Sequence, residues 1–151
     1  EVKECADITV LSIYGLGSAN NGGGTDGEEF TFDNELVCVS MAGAIGATFG
    51  SGDGNMVFSV DLPPEDWDGT TDEWEPASVR FDDERDDMNY RNWGAGGPVV
   101  TGMVGIPEEV EVTSFSIDGS SATGSAVVVE LNRAMLGDPE TAEMTFSFAC
   151  G

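Results

Sequence analysis

The sequence lacks histidine and is poor in positive charge. It has one lysine, Lys3, and four arginines against 29 aspartates and glutamates, for a net charge of −24. Without histidine, the commonest general base is missing, and no G-x-S-x-G motif supplies an activated serine. Nucleic-acid binding requires clustered lysine and arginine, which this composition does not provide. These shortages argue against an enzyme and against a nucleic-acid-binding protein, and they favour a non-catalytic role.

Long apolar runs are also absent. The longest uncharged stretch, residues 36–52, is rich in glycine, alanine and serine and is too interrupted for a membrane-spanning helix. The chain starts at Glu1 without a signal peptide, which we interpret as a processed, secreted chain. With 40% apolar residues the chain can form a core, so its carboxylates are expected at the surface. Scarce lysine with abundant Asp and Glu is typical of halophilic or marine extracellular proteins, although simple solubility also explains it.

Nearly every patterned segment is typical of a β-strand. We predict a bulge near Thr113 and Ser114, a hairpin turn at Asp118-Gly119 and one helical turn over residues 132–136. Residues 42–48 and the acidic region 63–93 are not assigned strands. The predicted strands are 8–14, 30–32, 36–41, 56–62, 99–106 (weak), 110–117, 127–131 and 144–150. We therefore predict a single all-β domain over residues 1–151, an antiparallel β-sandwich of immunoglobulin-like or jelly-roll-like type with about seven to nine short strands.

The three cysteines indicate how this fold is closed. Cys38 and Cys150 each lie in a strand-like run, and alternation places Cys150 on a buried face. We predict a disulfide between them, which would close a loop of over a hundred residues. Cys5 is then left over, as a free thiol, a bond to another molecule or a small buried residue. No CxxC pair is present, so a zinc site is not expected.

The densest polar group is the loop over residues 66–73. Asp66, Asp68, Asp72 and Glu73 surround a glycine turn and could converge on Ca²⁺, which takes six to eight oxygen ligands. Their spacing is not that of an EF-hand, and a solvated acidic loop is the alternative interpretation. Two further acidic groups, residues 82–87 and Asp53 with Asn55, are weaker candidates.

Tryptophans near these acids raise the possibility of a sugar site. Trp67, Trp74 and Trp93 could form a stacking platform, with packing residues as the alternative. Paired carboxylates also serve glycosidases, but among 29 acids some pair always fits that description.

A resemblance adds to this interpretation. The matching segments are Leu36-Val37-Cys38, Ala42-Gly43, residues 121–126, residues 131–135 and residues 146–150. They resemble the small surface lipoprotein antigens of mycobacteria and related actinobacteria, over about two-thirds of the chain. The resemblance implies a disulfide-closed β fold at the cell surface without enzymatic activity. In those lipoproteins the acylated cysteine is the first mature residue, whereas here Cys5 is fifth, so a lipid anchor is not expected.

Two functions from different classes remain, and we favour the first. In the first, the protein is a self-assembling, pilus-like fibre subunit that donates the N-terminal strand, residues 1–14, to a neighbouring copy. Cys5, Ile8, Val10 and Ile13 would then form the assembly contact. In the second, it is a monomeric surface domain that binds a glycan, a lipid or a protein partner. The N-terminal strand discriminates the two, because pairing within its own chain would remove the main support for the fibre.

Overall fold

The computed structural model describes residues 9–15, 28–32, 34–52, 54–84, 91–97, 100, 102–137 and 139–150, with the backbone alone for 9–15 and 28–31. The elements whose bounds lie within these ranges are ten strands and one short helix, α1. The elements are β1 (Thr9–Gly15), β2 (Glu28–Phe32), β3 (Asn34–Met41), β4 (Ala44–Gly50), β5 (Met56–Leu62), β6 (Ser78–Asp83), β7 (Arg91–Ala95), β8 (Glu111–Asp118), β9 (Ser121–Glu130), α1 (Leu131–Met135) and β10 (Thr141–Ala149).

The strands form one antiparallel sheet. Their order is β2-β1-β10-β9-β7-β6-β5-β4-β3. β8 lies off this path and pairs with residues 121–127 of β9, whereas β7 pairs with the last two residues of β9. The all-β antiparallel class predicted from the sequence is therefore confirmed, with ten described strands where seven to nine were expected. The link between β7 and β9 is narrow, because it consists of the two residue pairs Trp93–Glu130 and Gly94–Val129.

The sheet is curled, so that strands far apart along it meet through their inner faces. Phe58 on β5 and Phe146 on β10 have ring centroids 5.8 Å apart, although three strands separate them along the sheet. Phe49 on β4 and Phe148 on β10 are similarly close, at 5.4 Å. Such contacts bring the inner faces of distant strands together. The all-β antiparallel fold is therefore one curled sheet around a shared interior.

Alternating apolar side chains fill this interior. Along β10, Met144, Phe146 and Phe148 are buried, while the residues between them are exposed. Complete burial of side chains of this size contributes about 1.5–3 kcal/mol each. The predicted disulfide between Cys38 and Cys150 is confirmed, and it joins β3 to the residue after β10 across 112 positions. In the chain-entropy model, a disulfide that closes a loop of this length stabilises the fold by roughly 4–5 kcal/mol, because it restricts the unfolded chain.

Several local predictions are also confirmed. The register of β8 against β9 shifts between Val112 and Ser114, which is the bulge expected there. Gly119 turns the β8–β9 hairpin with φ of 64°, a conformation that favours glycine. The helical turn is α1, and it starts one residue earlier than predicted.

Three strands escaped prediction, and one predicted strand is wrong. β4 is buried on its inner side through Ile45, Ala47 and Phe49, but its small residues hide the alternation. β6 lies within the acidic region and β7 begins there, and both are too short for a clear pattern. The weak strand at 99–106 is not formed in its described residues, because Val100 is helical and residues 102–105 form turns and a bend. There Val100 packs with Val129 and Leu131 in a second, smaller cluster.

Candidate functional site

The third strand is an edge strand with exposed apolar side chains. Among the described residues, β3 pairs on one side with β4 and has no strand on its other side. The exposed fractions are 53% for Leu36, 53% for Val37, 55% for Val39 and 61% for Met41. An unpaired strand edge presents backbone N–H and C=O groups that can bind another strand, and proteins normally protect such edges with charge or cover. β3 contains one charged residue, Glu35.

Neighbouring contacts fix which way β3 faces. Cys38 is held on the inner side by its disulfide, and the hydroxyl of Ser40 donates a hydrogen bond of 3.0 Å to the carbonyl of Gly119. Val39 and Met41 alternate with these residues and therefore point to the outer surface. There they lie opposite Gly46 and Ala44 of β4. The apolar outer side of the edge is thus held in place by contacts on its inner side.

A groove adjoins this outer side. It has a volume of about 560 Å³ and lies between the ends of β3, β4 and β5 and the segment 72–76. Val39 and Met41 form its apolar side, Trp74 lies on the segment, and the acids are Asp61, Asp72, Glu73 and Glu75. No lysine or arginine is among the described residues that line it. The groove therefore combines an apolar wall with a concentration of negative charge.

Glycine 46 shapes the floor of the groove. Gly46 pairs with Asp61 of β5, and Asp61 Oδ1 lies 2.7 Å from where a Cβ at position 46 would stand. Any side chain at 46 would displace this carboxylate, so the glycine lets Asp61 extend over β4 towards β3. Burial, with the charge of Glu75 as second cause, raises the pKa of Asp61 above 3.8.

The four residues predicted as Ca²⁺ ligands are divided between different surroundings. Asp72 and Glu73 line the groove, whereas Asp66 lines a separate cavity of about 370 Å³ beside Ser40 and Gly119. The carboxylate of Asp68 accepts hydrogen bonds from the N–H and the hydroxyl of Thr70, at 3.0 and 2.7 Å. These bonds lower the pKa of Asp68. Among the described residues, no three histidines, cysteines or acids are spaced to hold a metal ion.

The three tryptophans have different roles. Trp93 is 6% exposed and belongs to the core, with the guanidinium of Arg91 5.8 Å from its ring. The indole N–H of Trp67 donates to the hydroxyl of Thr71 at 2.9 Å. Trp74 alone of the three lines the groove. The structure therefore does not support the three-tryptophan platform considered from the sequence, because Trp93 is buried.

The predicted assembly residues lie in or before β1. Val10 is opposite Ser147 of β10 and Thr31 of β2, and Ile13 is opposite Met144 and Glu28. Cys5 and Ile8 lie outside the described residues. β1 therefore pairs on both sides within its own chain, and donation of this strand to a neighbour loses its main support.

Sequence reasoning missed a buried charged group at the β7–β9 link. Glu130 is 2% exposed, and its carboxylate accepts hydrogen bonds of 2.8 Å from the backbone N–H groups of Asn92 and Arg133. Glu140 lies 3.9 Å from both Arg91 and Arg133. These groups join β7, β9, α1 and the residue that precedes β10, which is a structural role. No short motif marks them in the sequence.

Comparison with known proteins does not identify a family. No protein-family model matches the chain, and no curated protein is significantly similar to it in sequence. Within the described part of the chain, no helix has both the length and the apolar character needed to cross a membrane.

Proposed function

We propose that this protein is a non-catalytic extracellular domain that binds an extended segment of another protein along β3 by strand addition. The observation that carries the proposal is the β3 edge, which has no second strand neighbour among the described strands and exposes Leu36, Val37, Val39 and Met41. In strand addition, main-chain hydrogen bonds supply affinity, and pockets for alternate side chains supply specificity. The groove beside Val39 and Met41 supplies such a pocket.

A comparison within the molecule supports a binding role for this edge. β8 also lacks a second strand neighbour among the described residues, but the carboxylate of Glu65 accepts a hydrogen bond of 2.8 Å from the backbone N–H of Ile117. A charged side chain at an edge is one of the ways by which proteins block unwanted pairing. β3 instead exposes apolar side chains, which favours a partner at this edge.

The extracellular location rests on the disulfide and the composition. Disulfides persist in oxidising compartments and are rare in the cytosol. The resemblance to actinobacterial surface antigens also favours a surface location. A non-catalytic role is proposed because the sequence contains no histidine and one lysine, which leaves few groups suited to general base or nucleophilic chemistry.

The second candidate function is self-assembly into a pilus-like fibre. What supports it is the exposed apolar β3 strand, beside which no described strand lies, so that a segment of a second copy could be added there. Electron microscopy of the purified protein in saline buffer tests this candidate, since it predicts regular fibres.

Calcium binding at Asp66, Asp68, Asp72 and Glu73 stays a proposal of its own. A ligand that binds the folded state alone raises the melting temperature in proportion to the logarithm of its concentration. We expect Ca²⁺ to raise the melting temperature relative to EDTA, with Mg²⁺ at equal ionic strength as the control. Identical melting in all three conditions would indicate a solvated acidic loop.

The proposed strand addition is tested with an eight-residue peptide of alternating threonine and valine. The probe is fluorescently labelled, and its binding to the full chain is followed by anisotropy. A second peptide of the same sequence is N-methylated at alternate residues on the side that would face β3, so that it cannot form the main-chain hydrogen bonds. Saturable binding of the first peptide, lost in the second, is the expected result. Equal binding of both peptides, or of neither, contradicts strand addition.

A further inference from the structure

The large apolar side chains that are exposed in the described part of the chain fall into two groups. The first group lies on β3 and comprises Leu36, Val37, Val39 and Met41. The second consists of Val104, Met135 and Leu136, with exposed fractions of 96%, 73% and 80%. Val104 lies in a turn before β8, and the other two lie at the end of α1. We call this second group the apolar tip.

The smaller hydrophobic cluster supports the apolar tip from within. Met103, next to Val104, and Ile106 pack against this cluster, and Ala134, next to Met135, belongs to it. The turn before β8 and the end of α1 therefore rest on the same underlying residues. Large apolar side chains that are exposed together in this way mark a contact site.

The apolar tip protrudes from the molecule. Gly105 follows Val104, and Gly137 follows Leu136. At both glycines, no described atom outside the adjoining residues lies within 4 Å of where a Cβ would stand. The backbone N–H of Gly137 donates a hydrogen bond of 3.0 Å to the carbonyl of Ala134, which fixes the turn after α1. The tip is therefore a projecting surface with a defined backbone.

The apolar tip and the outer side of β3 lie towards opposite ends of β9. The hydroxyl of Ser40 on β3 bonds to the carbonyl of Gly119, in the turn before β9 begins at Ser121. α1 follows directly after Glu130, the last residue of β9. The ten residues of β9 span about 30 Å. Surfaces placed in this way allow a head-to-tail contact between copies, and such a contact produces a fibre when it does not close into a ring.

The two surfaces also differ in shape. The groove beside Val39 and Met41 has a volume of about 560 Å³, within the usual range for pockets that hold small molecules. The tip projects, and its methionine is an unbranched, adaptable side chain that fills irregular gaps. A projection fits a recess better than it fits a second projection. The shapes therefore favour tip-to-groove contact over contact between two equal surfaces.

Charge determines the conditions for this contact. Four acids line the groove, and Glu108 and Glu109 are exposed close to the tip in sequence. Their repulsion opposes the contact at low salt. The screening length falls from about 10 Å at 0.1 M salt to about 3 Å at 1 M, whereas burial of apolar surface does not depend on charge. Concentrated salt therefore favours the contact.

Resting on the second candidate function, self-assembly, and not on strand addition, we propose that the apolar tip of one copy packs on the outer side of β3 of a second copy. Met135 and Leu136 enter the groove beside Val39 and Met41, and concentrated salt permits the contact. Seven apolar residues are few beside the roughly 20–30 residues a side of a stable interface. Association is therefore weak for one pair of copies and depends on protein concentration.

Sedimentation velocity of the full chain at about 0.1 M and about 1 M NaCl tests this proposal. The tip variant carries Met135→Gln and Leu136→Asn, and the β3 variant carries Val39→Thr and Met41→Gln. The control is Thr145→Gln, at an exposed position on β10. We expect the natural chain and the control to associate at the higher salt concentration. Each double variant should need at least about tenfold more protein to do so.

Mixing the two double variants tests the head-to-tail arrangement. The tip variant keeps its β3 surface, and the β3 variant keeps its tip, so that one contact can form between them. The mixture should give a species with twice the mass of one chain and nothing larger, at a protein concentration where each variant alone stays monomeric. A restored dimer also shows that both variants are folded. A mixture that stays monomeric would overturn the proposed contact.

The remaining outcomes separate this inference from the functions proposed above. A natural chain that stays monomeric at both salt concentrations overturns the contact, and the tip then binds a lipid or a different protein. Fibres that form equally well in every variant would support self-assembly through another surface and overturn this one. Strand addition is decided separately, because the peptides that test it bind at low salt, where the chain is expected to be monomeric.

Discussion

Asp61 and Gly46 share one region of space on neighbouring strands, with the carboxylate oxygen 2.7 Å from where a side chain at 46 would begin. Packing over the β4 backbone removes part of the water from this carboxylate. Burial is accordingly the main cause of its raised pKa, and the charge of Glu75 is the second. The arrangement places a partly desolvated acid beside an exposed apolar strand edge.

This arrangement predicts how stability depends on pH. An acid whose pKa is raised in the folded state holds its proton more tightly there, so its ionised form destabilises the fold at neutral pH. That cost falls as the pH drops through the raised pKa, and it is gone below the ordinary value of 3.8. Asp61→Asn should therefore raise the unfolding free energy at pH 7 by a small amount, less than about 1 kcal/mol because the group is partly exposed.

Urea denaturation of both proteins measures this difference. It is carried out at several pH values from roughly 3.5 to 7, a range that covers the titration of carboxyl groups. The gain of the variant should shrink as the pH falls. A variant that is less stable than the natural chain at pH 7 would contradict the stated cause of the shift.

The Glu130 carboxylate gives a second prediction. It is buried and accepts from two backbone N–H groups, at Asn92 and at Arg133 in the first turn of α1. Glu130→Ala leaves both donors without this acceptor and should cost about 2–4 kcal/mol. Glu130→Gln keeps one acceptor oxygen and should cost about half as much. Chemical denaturation checks the order, with Glu143→Gln as the exposed control, and equal losses in Ala and Gln would show that the hydrogen bonds are not the cause.

Gly124 on β9 gives a third prediction, which concerns close packing. A Cβ there would meet the Phe146 ring and would lie 2.8 Å from the carbonyl oxygen of Ser114. Because the carbonyl belongs to the paired strand β8, it cannot move aside cheaply. Gly124→Ala should destabilise the protein by about 1–3 kcal/mol. Gly50→Ala is the matched control and should be neutral or mildly stabilising. Similar melting temperatures for the two variants would refute the stated contact.

The disulfide gives a fourth prediction. It links Cys38 and Cys150 across 112 positions, so its loss should cost roughly 4–5 kcal/mol in the chain-entropy model. The double variant Cys38→Ala, Cys150→Ala is preferred over the single change, because it leaves no free thiol from this pair. Thermal unfolding under oxidising conditions measures the effect. Unchanged melting would mean that the disulfide does not constrain the unfolded chain.

Sequence patterns predicted the parts of the fold where alternation is strong. β5 and β10 carry large apolar residues at every second position, and Cys150 continues the buried face of β10. The bulge in β8 followed from the change of parity between Val112 and Phe115. β4 was missed because glycine and alanine fill positions where a large residue would have marked the pattern, and at Gly46 the reason is the Asp61 carboxylate.

The candidate site was much harder to predict. In the sequence, Val39 and Met41 have the pattern of ordinary strand residues. Their position at the edge of the sheet could not be predicted, because no local pattern distinguishes an edge strand from a central one. The groove joins them to Asp61 and Trp74 through strand pairing and a loop, which are tertiary relationships. The sequence pointed to the acidic loop, and two of its four predicted ligands, Asp72 and Glu73, do line the groove.

Amide hydrogen exchange along β3 is the most direct test of the central claim. The full chain is measured alone and with a saturating amount of the unmodified peptide of alternating threonine and valine, and exchange is followed at the backbone N–H groups of residues 34–41. We predict that the peptide slows exchange at alternate residues of β3, because an added strand bonds to every second N–H on that edge. The β10 amides, already paired on both sides, should not change. If the peptide binds without slowing exchange anywhere in β3, strand addition at this edge is wrong.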